Sequence, residues 1–200
     1  MGEKIILVLG GGVGGLVATN VLKGKLGDRA TVRLVERKKQ FQFPPSYPWL
    51  MLGMRRPDQV QKDLSMLEKK GIEVVNDEVV SIDIKERLVK VRKDELTYDY
   101  LVIALGANYD PEAIPGFSEH AYHIYDLDSA IRFKDAVEKS TGGTIAIGVS
   151  RTSFKCPAAP YEVALLLEDY YTKKGMRDKV TFEFFTPEGM PVPSVGHELG

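Results

Sequence analysis

The chain opens on an unbroken apolar run, Ile5 to Leu9, and then breaks at a glycine cluster, Gly10 to Gly15. A short run without polar alternation fits a parallel-sheet strand covered on both faces, because a strand with one wet face would alternate. Beyond the glycines, Leu16, Val17 and Val21 carry a helical apolar pattern, and Thr31 to Val35 reads as a second strand. Strand, tight turn, helix and strand in that order predict an α/β fold. Val60, Leu64 and Leu67 then fall at i, i+4 and i+7 within Asp58 to Lys70, with Pro57 before and Gly71 after, which predicts a helix. Glu73 to Val75, Val79 to Ile84 and Leu88 to Val91 read as short strands, the last two joined by the charged turn Lys85-Glu86-Arg87. Tyr100 to Leu105 reads as a further buried strand ended by Gly106.

Asp110-Pro111 and Ile114-Pro115-Gly116 are turn-rich and mark a boundary, after which the pattern restarts. A helix from Asp128 to Lys139 carries Ala130, Phe133 and Val137 on one face, and Thr144 to Ile147 follows as a strand. A proline-rich loop, a helix from Tyr161 to Lys174 ended by Gly175, and a strand from Val180 to Phe185 complete the pattern. The expected organisation is a Rossmann-type domain over residues 1–110 and an incomplete second Rossmann-like domain over 111–200. The loop-like close at Gly200 reads as part of something longer.

Composition narrows the partners. The chain has 200 residues, 27 basic against 28 acidic, so no positive field gathers nucleic acid or anionic lipid. No stretch is long enough to span a bilayer, and the first apolar run is too short for a signal peptide. A single cysteine, Cys156, rules out a disulfide within the chain, so cytoplasmic synthesis is expected. His120, His123 and His197 show no ligand spacing, and no metal is expected.

Gly10, Gly12 and Gly15 satisfy G-x-G-x-x-G directly after a strand and at the start of a helix. Gly10 allows the tight turn, Gly12 lets the backbone approach a pyrophosphate, and Gly15 allows close packing of helix on strand. Val13 and Gly14 sit within the motif at the helix N-terminus, where free N–H groups favour an anion. Glu36 ends the second strand 21 residues after Gly15, where a carboxylate accepts bonds from a ribose diol; Arg37 follows it. A bare glycine motif also occurs in turns that bind nothing, and it is the ordered context that carries the dinucleotide reading.

Four further segments resemble known flavoproteins. Val79-Val80 is similar to the strand that touches the adenine in the two-dinucleotide-binding flavoprotein superfamily, and Tyr98 to Gly106 to the segment that returns to the FAD pyrophosphate, which adds Ala104 and Gly106. Phe154-Lys155-Cys156-Pro157-Ala158-Ala159-Pro160-Tyr161-Glu162 resembles the corresponding segment of sulfide:quinone oxidoreductases and of the flavoprotein subunit of flavocytochrome c sulfide dehydrogenase. Phe41 to Trp49 resembles that family's loop beside the isoalloxazine, which singles out Pro44 and Ser46, though the same residues serve as a surface turn with a packing Trp49. By itself Cys156 reads as well as a packing residue; its place before a helix and beside Lys155 favours a thiolate.

The resemblance implies FAD, sulfide as substrate, quinone as acceptor, and Cys156 as one of a redox pair whose partner lies outside this chain. Some members of that family attach FAD through a cysteine near residue 44 or before residue 150, and this chain departs from them in having none there, so the FAD is expected to be held noncovalently. It further implies a peripheral attachment to the membrane surface through a C-terminal part that is missing here, and leaves a homo-oligomer open. Glu162 is implied to be a partly buried carboxylate near the sulfide, although a first-turn glutamate also complements a helix dipole. Two competitors stand beside this reading. A type II NADH:quinone dehydrogenase-like protein would need a second glycine loop, yet Val149 to Pro160 offers none, and two prolines instead. A noncatalytic FAD-binding fragment with a structural Cys156 is the other.

Overall fold

The computed structural model describes residues 4–152 and 154–192, so Ser153 and His197 lie outside the described residues. The chain divides into two compact units, Met1–Phe43 with Asp58–Gly116, and Pro44–Pro57 with Phe117–Gly200.

The first unit is built on a parallel sheet in the order β5-β2-β1-β9, with β1 Lys4–Leu9, β2 Ala30–Val35, β5 Glu73–Val75 and β9 Tyr100–Ile103. Helix α1, Val13–Leu26, joins β1 to β2. Two three-residue strands, β3 Gln40–Gln42 and β4 Gln61–Asp63, pair antiparallel beside it. A second antiparallel sheet follows the order β6-β7-β8, with β6 Val79–Asp83, β7 Leu88–Val91 and β8 Glu95–Thr97. The missing alternation in β1 now has its cause. Ile6 and Val8 pack with Val32, Leu34, Leu64 and Ile72 under α1, while Leu7 and Leu9 pack with Val89, Val91 and Leu96 of the second sheet. Both faces of β1 are dry.

Several sequence expectations need correction. Asp58 to Lys70 is not an α-helix: residues 61–63 pair as β4, and Leu64–Lys70 winds as a 3₁₀ helix. Strand pairing removes the first turn, and the Asp63 carboxylate then caps the remainder by accepting from Ser65 N at 2.8 Å. Val60, Leu64 and Leu67 are nonetheless buried, as their spacing predicts. Tyr100 to Ile103 is an edge strand rather than a buried one, with Tyr100 61% and Ile103 58% exposed. On α1 the buried residues are Gly15 and Thr19, and Val17 and Val21 face outward. Close approach of helix to strand selects the smallest residues for the contact, which turns the valines away.

The second unit contains α2 Tyr47–Leu50, α3 Phe117–His120, α4 Leu127–Lys139, β10 Gly143–Gly148, α5 Ala159–Lys173 and β11 Val180–Phe185, with β10 and β11 parallel. Asp126 caps α4 by accepting from Ser129 N at 2.8 Å. The core joins Met51 and Leu52 to Val137, Val163, Leu167 and Val180, so the segment after Phe43 is packed here. Tyr47 and Leu50, beside the expected Trp49, are fully buried, whereas Trp49 is 40% exposed under the Arg55 guanidinium.

Candidate functional site

At the carboxyl ends of β1 and β2 lies a cavity of about 270 Å³, lined by Gly10, Val35 to Arg37, Asp77 to Val79, and Leu105 to Asn108. That volume lies just below the usual range of about 300–1,000 Å³ for small-molecule sites. Gly10 adopts φ +100°, and a Cβ there would stand 2.3 Å from Ala104 O, so no side chain is tolerated. Its N–H donates to Val35 O at 2.8 Å, which joins two of the lining segments. Gly15 supports the same turn from below, because a Cβ on it would meet Gly10 O at 1.8 Å.

Glu36 is held on both oxygens. Gly11 N donates to Oε2 at 2.6 Å and Lys38 N to Oε1 at 2.9 Å. Two backbone donors fix the carboxylate, and its remaining lone pairs can accept from a ligand hydroxyl. A Cβ on Gly11 would press on Glu36 Cγ at 2.8 Å. The motif reading overlooked Gly11, since its partner lies 25 residues on and no spacing rule announces it. Gly12 caps α1 and has open space where a Cβ would be; Leu16 N is bonded back to Gly12 O at 2.9 Å, and the earlier N–H groups of the turn precede the helical ladder. Open space beside those donors fits an anionic group.

Of the other sequence candidates, Arg37, Val79 and Gly106 line the cavity with Gly10 and Glu36. Ala104 backs Gly10, while Val13 and Gly14 begin α1. Val80 is 58% exposed and does not line the cavity, because the pairing of β6 with β7 shifts between Val79 and Ser81 and leaves Val80 as the extra residue of a bulge. Asp77, Glu78 and Asn108 were not foreseen.

The remaining candidates belong to the second unit. Pro44 and Ser46 form one 3₁₀ turn leading into α2. Cys156 is exposed and takes φ +58°, a left-handed conformation uncommon for any residue but glycine, and its carbonyl accepts from Ala159 N at 3.0 Å. Glu162, in the first turn of α5, is exposed; the partly buried carboxylate implied by resemblance is not found among the described residues, since nothing described covers it. An unforeseen cluster stands nearby. Tyr161 stacks on Phe184 with ring centres 4.6 Å apart, and its hydroxyl donates to Glu188 Oε2 at 3.1 Å, where Thr186 Oγ1 also donates at 3.4 Å. Among the described residues no group of three or more His, Cys, Asp or Glu could hold a metal ion, and no helix is long and apolar enough to cross a membrane.

The family model described as "Pyridine nucleotide-disulphide oxidoreductase" matches residues 4–165. The chain belongs to that oxidoreductase family. Within it, the chain is 31% identical over 198 residues to the sulfide-quinone reductase of Aquifex aeolicus, covering 97% of this chain and 44% of that protein. The solved sulfide:quinone oxidoreductase of the same organism superposes with a TM-score of 0.84 at 30% identity, covering 91% of this chain and 43% of that one. NDH2 from Plasmodium falciparum, solved with NADH, superposes at 0.76 and 21% identity over 96% of this chain and 44% of that one, a likeness of fold alone. The chain thus spans less than half the length of these members of the oxidoreductase family.

Proposed function

We propose that this chain holds FAD noncovalently in its first unit and serves the oxidation of sulfide, with quinone as electron acceptor. The observation that carries the reading is the likeness to the Aquifex aeolicus sulfide-quinone reductase along 97% of the chain, which takes in both the glycine turn and the Cys156 segment. FAD, when bound, supplies a two-electron acceptor for sulfide sulfur. Glu36, fixed by Gly11 and Lys38 N–H groups, holds the ribose diol and by its charge rejects a 2′-phosphate. The first turn of α1 receives the pyrophosphate, and the cavity beside Val79 and Gly106 takes the adenosine end. Cys156, exposed on a turn ahead of α5, supplies one sulfur of a redox disulfide whose other half lies outside this chain; sulfide attacks the Cys156 sulfur, the partner leaves as thiolate, and Glu162 one turn on exchanges protons with solvent.

The competing NADH-linked reading needs an open crevice at β10 and β11, and Tyr161 already occupies Glu188, the acidic group that follows β11. Two measurements test the proposal. The cofactor extracted from the purified protein should have the mass of FAD, and FMN or no flavin refutes the first step. In a full-length protein that supplies the partner cysteine, sulfide, and not NADH, should bleach the bound flavin in anaerobic mixing, and Cys156→Ser should keep the flavin while abolishing that bleaching; parental bleaching in the variant refutes the role of Cys156.

A further inference from the structure

Arg37, one of the residues lining the cavity, reaches two of its other segments with one guanidinium. Arg37 Nη2 donates to Asn108 Oδ1 at 3.3 Å, and Arg37 Nη1 lies 3.7 Å from Glu78 Oε1. One side chain therefore ties the segment after β2 to the turn before β6 and to the loop after β9, and all three segments line the cavity. The anchor on the β6 side is stiff. Glu78 Oε2 is paired with Arg92, Arg92 N donates to Glu78 O at 3.1 Å, and Glu78 N donates to Asp77 Oδ1 at 2.8 Å. Asp77, itself 9% exposed, also accepts from Lys93 N at 3.0 Å. The Asn108 side is different, since Asn108 is exposed and its contact is one long hydrogen bond between side chains. A stiff anchor on one wall and a single breakable bond on the other make a hinge and a catch.

We propose that Arg37 is a latch on the adenosine end of the site: it stays on Glu78, releases Asn108 to let a dinucleotide in or out, and re-forms that bond afterwards. The inference rests on the reading that this unit holds FAD. The residues involved are exposed, with Arg37 and Glu78 side chains 53% and 36% accessible, so the latch is weak. It governs the rate of release more than the fold.

The test is FAD release from the chain, followed by flavin fluorescence after dilution. Arg37→Gln and Asn108→Ala should each speed release about three- to tenfold, the range open to an exposed ion pair and one hydrogen bond. The double variant should release no faster than the faster single one, because both remove the same catch. Thermal midpoints without flavin should stay equal to the parent's in all three variants. Parental release in Asn108→Ala, or fully additive effects, overturns the latch and leaves FAD binding standing. A parent chain that binds no FAD overturns both.

Discussion

The two units carry the same local plan, strand, turn, helix, parallel strand and acidic residue, and treat it in opposite ways. In the first, glycines leave the crevice open and the backbone of Gly11 holds Glu36 with its outer lone pairs free for a ligand. In the second, an aromatic side chain stands beside the carboxylate: Tyr161 stacks on Phe184 and takes Glu188 as its own acceptor. The difference lies in who satisfies the carboxylate. A backbone donor costs no volume, whereas a tyrosine satisfies the same kind of group by bringing its ring beside it.

The sharpest way to break this comparison is a methyl group placed on matching glycines. Gly10→Ala should destabilise the first unit by about 3 kcal/mol or more in chemical denaturation, because the new carbon meets the Ala104 backbone at positive φ and no flexible side chain can yield. Gly148→Ala, with open space at its Cβ, should change stability by less than about 1 kcal/mol. Equal effects would show that the first turn is no tighter than the second.

Next comes the aromatic side chain beside Glu188. Tyr161→Ala should cost about 2 kcal/mol, less than a fully buried aromatic, since Tyr161 is only half-buried. Calorimetric titration of the parent with NADH should give no heat of binding. Micromolar binding there would mean that Tyr161 moves aside, and the contrast between the units would collapse.

A smaller effect concerns Cys156. Its left-handed backbone is strained for a residue with a Cβ, so Cys156→Gly should stabilise the second unit by about 1 kcal/mol, and Cys156→Val should destabilise it. A neutral Cys156→Gly would show that the turn does not carry that strain.

The smallest effects separate the units by pH. In the second unit, burial pushes the His123 imidazole below its ordinary 6.5, helped by Arg132 and opposed by Asp126. The unfolded chain then takes up the proton first, and stability falls as pH drops below 6.5. Tyr125 N donates to His123 Nδ1 at 3.3 Å, and protonation removes that acceptor. In the first unit, Asp99 accepts from Lys4 Nζ at 2.7 Å and from Ile5 N at 2.9 Å, and these bonds hold its carboxyl below the ordinary 3.8. Its contribution is present above that value and lost only as pH falls through the lower one. Amide exchange followed over pH should loosen the second unit first, with His123→Gln removing the earlier change and Asp99→Asn the later one.

The strong signals in the sequence were those enforced by backbone sterics. The turn at Gly10 to Gly15, Glu36 at its distance, the unbroken run of β1 and the strand from Val180 to Phe185 all follow from local rules. Asp58 to Lys70 misled because the same apolar spacing is met by a strand followed by a 3₁₀ turn, and the choice was made by pairing with Gln40–Gln42. Val80 misled because a bulge reverses a strand's inside and outside without any mark in composition. Gly11, Asn108 and Glu188 were invisible because each matters through a partner far along the chain.

The interleaving of the two units has a consequence for synthesis. β1 is completed in the sheet by β9, about a hundred residues later, and non-local parallel pairing of this kind is slow to form. Residues 44–57 wait longer still: they leave the ribosome before the first unit is finished, yet Met51 and Leu52 find their core partners on α4 and α5. At ordinary translation speeds that is a delay on the order of ten seconds. Through that interval a segment rich in Tyr, Trp, Leu and Met has nowhere to bury itself, and it is the stretch of nascent chain most in need of a chaperone.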